Sequence, residues 1–267
     1  RRGLSVLAII PAISSEKNKK ETIKNRYVKK DINVDKLQRR LITHEDPKSP
    51  ISEAFRGLRS SLLYTYNEQD SNTIIVSSTG PGEGKTTTIS NLAITYANLG
   101  KRVLLIDTDL RKPVLHHVFN LNNSKGATDF LSGQEENYEN LVQDSKIDNL
   151  FVISSGIIPP NPSELLSSEK MKLLVKKLSD DYDLVLFDSP PLVAVTDAAI
   201  IGNFVNKMVM VVMPGKTDKR AFTHCVNNLA NLGSPFKGIV FNGVDSKNSY
   251  GSYYYYYQYY NYYGDSK

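Results

Sequence analysis

The stretch that decides the fold is "STGPGEGKTTT", residues 78–88. It follows an apolar run, "TIIVSS" at 73–78, and leads into residues 86–99, whose apolar positions recur with helical spacing. A strand, a glycine-rich loop and a helix in this order are typical of a phosphate-binding loop. The glycines let backbone N–H groups converge on phosphate oxygens, and the positive end of the helix attracts the same anion. The usual pattern begins with glycine, whereas this loop has Thr79 at that position.

The loop carries the residue types that a nucleoside triphosphate requires. Lys85 is expected to reach the β- and γ-phosphates, and the Thr86 hydroxyl is expected to hold Mg²⁺. ATP and Mg²⁺ are therefore the predicted cofactors. The predicted nucleotide-binding residues of the loop are Gly80, Gly82, Glu83, Gly84, Lys85, Thr86 and Thr87.

Two acidic motifs follow further apolar runs. "LLIDTDLRKP" (104–113) places Asp107 and Asp109 two residues apart, and "LVLFDSPP" (184–191) places Asp188 at the end of its run. In an open parallel sheet, ligands bind beyond the carboxyl ends of the strands, so these carboxylates are expected around the same nucleotide. One of them can hold hydrated Mg²⁺, and another can accept a proton from an attacking hydroxyl group.

The rest of the chain alternates between strand-like and helix-like runs. Near-continuous Val, Ile and Leu in the strands predicts an α/β, P-loop NTPase-like fold, a mostly parallel sheet with helices on both faces. The length of 267 residues suits one sizeable domain with appendages. Predicted strands cover 73–78, 102–107, 150–154, 183–188, 208–213 and 238–242, and predicted helices cover 86–99, 163–180, 217–232 and a stretch from about Pro50.

Positive charge is concentrated at the start of the chain. Residues 1–40 carry twelve Lys and Arg against four Asp and Glu, whereas the remaining residues carry twenty-one against twenty-four. We expect 1–45 to be a flexible basic arm, either a solvated linker or a segment beside a membrane that faces anionic lipid. Nucleic acid is not an expected partner, because Tyr27 is the arm's only aromatic residue. No apolar run approaches the roughly 18 residues that span a bilayer, so the chain as given is expected to be soluble.

Ten of the sixteen tyrosines lie in the last stretch, "YGSYYYYYQYYNYYGDSK" (250–267). Five consecutive tyrosines do not suit a buried strand, because every buried phenol needs a hydrogen-bond partner. We expect 245–267 to be a disordered tail that follows a domain at 46–244. The tail either makes only non-specific contacts or provides a set of phosphoryl acceptors. A phosphate-binding loop in the same chain favours the second alternative. The predicted acceptors are Tyr250, Tyr253, Tyr254, Tyr255, Tyr256, Tyr257, Tyr259, Tyr260, Tyr262 and Tyr263.

Several motifs occur together in this chain: "TGPGEGKTT", "LLIDTDLRKP", "LFDSPP", "PPNPSELL" (159–166), "EAFRGLR" and the tyrosine cluster. In this combination the chain resembles the bacterial tyrosine kinases of capsule and exopolysaccharide biosynthesis, over residues 50–267. The resemblance implies an ATP-dependent protein-tyrosine autokinase that phosphorylates its own cluster, mainly between subunits. It further implies that this activity regulates polysaccharide polymerisation and export.

The resemblance also implies roles for individual site residues. Asp107 is expected to be the catalytic base, and Lys85 and Asp109 are expected to complete the catalytic set. Thr86, Asp109 and Asp188 are expected to hold Mg²⁺, directly or through water. Asn242, at the end of the last predicted strand, is expected to contact the nucleotide base.

The family further implies how the chain assembles. Glu53, Arg56 and Arg59 match an E-x-x-R-x-x-R motif that joins subunits into a ring, octameric in the family; from the residues alone they also fit a solvated charged face. The expected partners are a membrane polysaccharide co-polymerase segment, fused upstream or separate, and a cognate tyrosine phosphatase. The chain is thus expected to be a fragment that works at the cytoplasmic face of the bacterial inner membrane.

Two other functions compete with this interpretation. A partitioning or site-selection ATPase of the wider phosphate-loop group would also use this fold, but that group carries a lysine where this loop has Gly80. A scaffold that binds nucleotide without turnover would be expected to lack one of the charged site residues, and all of them are present here. A tyrosine-only tail has no evident role in a partitioning ATPase.

Overall fold

The computed structural model describes residues 4–13, 41–64 and 72–245. The basic residues 14–40 and the tyrosine cluster lie outside the described residues. The strands are β1 Val6–Pro11, β2 Thr73–Ser78, β3 Val103–Asp107, β4 Gln143–Ile147, β5 Leu150–Ile153, β6 Leu184–Asp188, β7 Lys207–Val212 and β8 Phe236–Val244. The helices are α1 Ile42–Glu45, α2 Pro50–Tyr64, α3 Lys85–Ala97, α4 Leu115–Val118, α5 Ala127–Ser132, α6 Pro162–Leu166, α7 Glu169–Asp181, α8 Asp197–Gly202 and α9 Lys219–Asn231.

The strands form one sheet in the order β1-β8-β7-β2-β6-β3-β5-β4. Every neighbouring pair is parallel except β4 with β5. β6 lies between β2 and β3, although it follows both in the chain, so the carboxyl ends of β2, β6 and β3 are adjacent. The mostly parallel, P-loop NTPase-like sheet that the sequence predicts is confirmed.

Two apolar clusters cover the two faces of the sheet. Successive strand residues point to opposite faces, so Ile74 and Ile75 of β2 belong to different clusters. Helices α2 and α3 pack on the Ile74 side, where Phe55 and Leu92 are fully buried. Helices α7, α8 and α9 cover the other side. Because both faces are covered, the central strands consist almost entirely of buried residues.

One predicted helix differs from the structure, and one strand was not predicted. The helix predicted over 163–180 is split into α6 and α7, because Ser168 caps α7 by accepting a hydrogen bond from the Met171 N–H at 3.3 Å. Strand β4 was not predicted, because its sequence "QDSKI" is polar and only part of it is buried. It pairs with β5 through a tight antiparallel connection in which Asn149 has a positive φ.

The apolar run "GLSVLAIIP" contributes strand β1, which pairs in parallel with β8. Ser61 of α2 donates its hydroxyl to the Leu7 carbonyl oxygen at 2.8 Å, which holds the strand against the helix layer. Residues 6–11 therefore belong to the sheet, although the predicted boundary at residue 45 placed them in the basic arm. A single apolar run does not reveal its partner strand, which is why the sequence alone assigned it to the arm.

None of the helices in the described ranges has the length and hydropathy of a membrane-spanning segment.

Gly238→Ala is expected to destabilise the protein, and Gly57→Ala to stabilise it. A Cβ at position 238 would lie 2.5 Å from the Ser5 carbonyl oxygen, so β1 would have to move from β8, at a cost of roughly 1–3 kcal/mol. A Cβ at position 57 meets nothing within 4 Å, and alanine gains roughly 0.5–1 kcal/mol over glycine inside a helix. Urea unfolding measures both changes. Equal midpoints for the two variants would contradict the close packing of β1 on β8.

Candidate active site

The site lies at the carboxyl ends of β2, β6 and β3. Asp107 ends β3 and Asp188 ends β6, and the two residues are paired in register on neighbouring strands. The loop after β6 runs beside the phosphate loop, because the Leu192 N–H donates to the Ser78 carbonyl oxygen at 2.9 Å. The structure thus brings the phosphate loop and both acidic motifs to one edge of the sheet.

Gly84 is the point where the phosphate loop becomes helix α3. Its φ of 95° lies in the left-handed region, which favours glycine. A Cβ there would also lie only 2.0 Å from Asn242 Nδ2. Asn242 is buried, and its Nδ2 donates to the Glu83 carbonyl oxygen at 2.9 Å. Strand β8 therefore supports the phosphate loop directly through the residue that the family resemblance assigns to the nucleotide base.

Thr79 stands where the usual phosphate-loop pattern has glycine. Its side chain is buried, and its hydroxyl lies 3.6 Å from the Met210 sulfur of β7. The threonine therefore fills space beneath the loop, and the departure from the pattern is accommodated by packing.

Lys85 connects the phosphate loop to both acidic motifs. Its Nζ lies 3.1 Å from Asp109 Oδ2 and 3.7 Å from Asp188 Oδ1. Thr86 adds a further link, because its hydroxyl donates to Asp188 Oδ2 at 2.7 Å. Burial disfavours the charged lysine, but the carboxylates of Asp188 and Asp109 outweigh burial and raise the pKa of Lys85. The lysine therefore remains charged and neutralises acidic side chains inside a buried site.

Asp107 is fully buried and is held by backbone N–H groups. Its Oδ2 accepts from Val114 at 3.1 Å and from Leu115 at 3.0 Å, and its Oδ1 accepts from Asp109 at 3.1 Å. Burial raises the pKa of Asp107 to about 7 and Asp188 adds to the rise, although the Leu115 N–H opposes it. A carboxyl group that titrates near neutrality suits a general base. The same hydrogen bonds hold the loop that carries Asp109 in place.

One oxygen of Asp188 accepts no hydrogen bond from the described residues, although Lys85 Nζ lies 3.7 Å from it. Its Oδ1 is buried without a hydrogen-bond donor, while its Oδ2 accepts from Thr86. Burial raises the pKa of Asp188, against the opposing effect of Lys85. Carboxylate and hydroxyl oxygens are the ligands that Mg²⁺ prefers, so the unsatisfied oxygen fits a divalent cation.

Within residues 4–13, 41–64 and 72–245, no group of three or more His, Cys, Asp or Glu side chains could hold a metal ion. Mg²⁺ is usually held by one or two carboxylates together with water and substrate phosphates, and it does not require a cage built from protein alone.

Lys216 and Thr217, which follow β7, also support the phosphate loop. Neither is among the site residues predicted from the sequence. The Thr217 hydroxyl donates to Glu83 Oε1 at 2.8 Å, and Lys216 Nζ donates to the Gly82 carbonyl oxygen at 2.8 Å. Glu83, a predicted nucleotide-binding residue, is thus buried and faces Thr217. The turn "PGKTDK" follows a parallel strand, so the rule that ligands bind beyond strand ends could have identified it.

Arg111, in the loop after β3, contacts the first turns of two helices, α6 and α8, at the same edge. Its Nε donates to Asp197 Oδ2 at 2.7 Å, and its Nη2 donates to Ser163 Oγ at 2.8 Å. Ser163 in turn donates to Asp197 Oδ1 at 2.6 Å, and Asp197 is fully buried. We call these three residues the arginine bridge. Through it the "PPNPSELL" motif, which contains Ser163, is fastened to the acidic loop after β3 and to the start of α8.

The three residues predicted to join subunits lie on α2. Arg56 forms an ion pair with Glu53, and both side chains are about one-third exposed, at 33% and 32%. Arg59 instead donates through Nη1 to the Thr95 carbonyl oxygen of α3 at 2.6 Å, and burial lowers its pKa. Glu53 and Arg56 are therefore accessible on the surface, whereas Arg59 also fastens α2 to the helix that begins at the phosphate loop.

Comparison with known proteins gives a consistent result. The family model described as "AAA domain" matches residues 71–229. The tyrosine-protein kinase YwqD of Bacillus subtilis is 42% identical over 208 residues, which are 78% of this chain and 87% of that protein. The tyrosine-protein kinase etk of Escherichia coli K12 is 34% identical over 91% of this chain, which spans only 33% of the length of etk.

A solved structure agrees with these sequence relatives. The kinase domain of the Escherichia coli tyrosine kinase ETK superposes with a TM-score of 0.80 at 33% identity. The match covers 93% of this chain and 94% of that domain. The chain therefore shares both sequence and fold with this domain along nearly all of its length.

The stability of the nucleotide-free protein is expected to depend on pH through Asp107. An unfolded aspartate titrates near 3.9, and the folded Asp107 titrates at about 7, so between these values the folded state binds one extra proton. Its contribution to the free energy of unfolding therefore decreases as pH rises, by up to about 1.4 kcal/mol per pH unit. Asp107→Asn should remove this slope, and Asp144→Asn, at an exposed site, should keep it. Denaturant unfolding between these pH values gives the slopes, and equal slopes for wild type and Asp107→Asn would contradict the assignment.

Proposed function

The chain belongs to the bacterial tyrosine-protein kinases, and from this membership we propose that it transfers the γ-phosphoryl group of ATP to the tyrosines of its own C-terminal cluster. The observation that carries the proposal is the position of Lys85, between Asp109 and Asp188 at the end of a phosphate loop. Relatives that are named tyrosine-protein kinases favour this function over a partitioning ATPase or a scaffold without turnover.

Nucleotide binding follows from the fold, and the loop residues supply the contacts. We assign the phosphates to the backbone N–H groups of the loop from Gly80 to Thr87, with Lys85 as the cation that neutralises the β- and γ-phosphates. Asn242 supports the loop at Glu83, so its position beside Gly84 agrees with a role near the nucleotide. We further propose that Asn242 contacts the nucleotide base, as the family resemblance implies.

Thr86, Asp109 and Asp188 are the proposed magnesium ligands, directly or through water. The unsatisfied Asp188 Oδ1 supports this assignment. When bound, Mg²⁺ would supply positive charge that offsets the negative charge on the transferring phosphoryl group.

Asp107 is the proposed general base of the transfer. The tyrosine oxygen forms a bond to the γ-phosphorus, the bond from that phosphorus to the bridging oxygen breaks, and ADP leaves. The phenolic proton passes to the Asp107 carboxylate, whose pKa of about 7 leaves much of it deprotonated near neutral pH. Lys85 stabilises the charge that develops on the departing phosphates, which is usually the largest single contribution in such sites.

The acceptors are the ten tyrosines between Tyr250 and Tyr263, and transfer occurs mainly between subunits. In this scheme the unphosphorylated cluster of one subunit occupies the site of its neighbour in a ring, which is octameric in the family. Each phosphate adds about −1.5 to −2 charges, and these charges are repelled by the acidic side chains of the site. Phosphorylation therefore releases the tail and loosens the ring.

The cellular setting is also part of the proposal. The chain spans only a third of etk but 87% of YwqD, and the proposed membrane co-polymerase segment is either fused upstream or a separate chain. We place the domain at the cytoplasmic face of the bacterial inner membrane, where the basic arm faces anionic lipid. There the cycle of phosphorylation, reversed by a cognate tyrosine phosphatase, would regulate capsule or exopolysaccharide polymerisation and export.

Lys85→Met is expected to lower the rate of phosphotyrosine formation by at least about a hundredfold, because the charge that stabilises the transferring phosphoryl group is lost. Lys112→Met is the matched control: its side chain is exposed, and only its backbone N–H contacts Asp109. Incubation with ATP and Mg²⁺ followed by intact-mass analysis counts the phosphates, and circular dichroism confirms that both variants are folded. Undiminished phosphorylation of Lys85→Met would refute the assignment of the phosphate loop.

Replacing Glu53 and Arg56 together by Ala is expected to give a monomer that binds nucleotide normally but phosphorylates itself poorly. Both side chains are partly exposed, so the fold should lose at most about 1 kcal/mol. The double variant Glu169→Ala/Lys172→Ala is the matched control, since it removes another ion pair of the same helical spacing. Sedimentation velocity reports assembly. A monomer with full autophosphorylation would contradict transfer between subunits.

A further inference from the structure

Three exposed aliphatic side chains lie on the loops beside the candidate site. Ile157 and Ile158, in the loop after β5, are 72% and 57% exposed, and Val193, in the loop after β6, is 51% exposed. Both strands end at the same edge of the sheet as β2, which carries the phosphate loop. Large apolar side chains that are exposed on loops at a polar catalytic edge are candidates for a binding surface.

The two loops are fixed beside the site. The Val193 N–H donates to the Thr79 carbonyl oxygen at 3.1 Å, which fastens the loop after β6 to the phosphate loop. The same loop ends at Asp197, and the loop after β5 leads to Ser163, so the arginine bridge joins the two. The three aliphatic side chains are therefore carried by loops that are held together and next to the phosphate loop.

The charge of Arg111, beside this surface, is already neutralised. The Arg111 guanidinium is paired with the buried Asp197 carboxylate, with Nε and Oδ2 2.7 Å apart. A ligand that binds at Ile157, Ile158 and Val193 would therefore be recognised more by apolar contact than by charge. Residues 246–267 carry two Lys and one Asp among ten tyrosines. Tyrosine rings are apolar bodies with a polar tip, so they can pack on aliphatic side chains and leave the hydroxyl free to react.

We propose that Ile157, Ile158 and Val193 form an acceptor ledge that binds rings of the tyrosine cluster while a neighbouring tyrosine is phosphorylated. This inference rests on the proposed function and adds the residues that select the acceptor. Binding through rings does not distinguish one tyrosine from the next, so the ledge suits a substrate in which consecutive residues are tyrosine.

The distance from the start of the tail to the ledge is compatible with this occupant. β8 lies five strand positions from β5, which is about 24 Å at the usual spacing of about 4.8 Å. The eight residue-to-residue steps from Asp245 to Tyr253 span at most about 26–29 Å when fully extended. Tyrosines from Tyr253 onward can therefore reach the ledge of the same chain, and a tail from an adjacent subunit can approach it without this limit.

The test measures binding of a fluorescent peptide of sequence 245–267 to the full chain in the presence of a non-hydrolysable ATP analogue. Ile157→Asn/Ile158→Asn should weaken the Kd about tenfold, the order of magnitude expected for losing partly buried aliphatic contacts. Leu232→Asn is the matched control, because Leu232 is 56% exposed and precedes β8, at the opposite edge of the sheet. Affinity for the ATP analogue should stay unchanged in all variants.

Phosphorylation of the same peptide then separates the two proposals. The ledge variant should raise the KM for peptide about tenfold and leave the KM for ATP within about twofold. Peptide binding that depends on the ledge without any phosphorylation would refute the proposed function and retain the ledge. An unchanged peptide Kd in the ledge variant would overturn the ledge. Reduced self-association of that variant with an unchanged peptide Kd would overturn it as well, because the surface would then be a contact between subunits.

Discussion

The ion pairs of Lys85 with Asp109 and Asp188 are the constraint on which the site depends. Asp107, Asp109 and Asp188 are all buried at one edge of the sheet, so their like charges are tolerated only with a cation among them. Buried ion pairs need good geometry to offset desolvation, and loss of one partner typically costs about 3–5 kcal/mol. Lys85 begins α3, Asp107 and Asp188 end neighbouring strands, and the order β2-β6-β3 is what brings them within reach.

This cluster also prepares the protein for its proposed reaction. A lysine held between two carboxylates has a raised pKa and stays charged when phosphates arrive. In the proposed complex Lys85 would contact the phosphates, and the oxygens of Asp109 and Asp188 that it now pairs with are the proposed Mg²⁺ ligands. The charged groups that offset one another in the nucleotide-free protein are thus the groups assigned to nucleotide and metal. Preorganised groups of this kind reduce the reorganisation that catalysis would otherwise require.

The sequence predicts those parts of the structure that depend on local pattern. Strand, glycine loop and helix around Lys85 follow from periodicity and glycine spacing, and parallel topology places Asp107 and Asp188 at one edge. Contacts between loops that are far apart in the sequence leave no periodic pattern from which they could be predicted. Nothing near Gly84 in the chain indicates that Asn242 fills the space where a Cβ would lie. Likewise, nothing in the apolar run of β1 indicates that it pairs with β8, because pairing is decided by the whole sheet.

Helix α3 explains why assembly and catalysis can influence each other in the proposed ring. It begins at Lys85, and near its other end the Thr95 carbonyl oxygen accepts a hydrogen bond from Arg59 of α2. In the middle of the helix, Asn91 Oδ1 accepts a hydrogen bond from the Thr43 N–H of α1 at 3.0 Å. In the proposed ring, a neighbour that contacts Glu53 would therefore touch the helix that is hydrogen-bonded to α3, which begins at Lys85. The proposed subunit contact and the phosphate loop are therefore two ends of one packed helix layer.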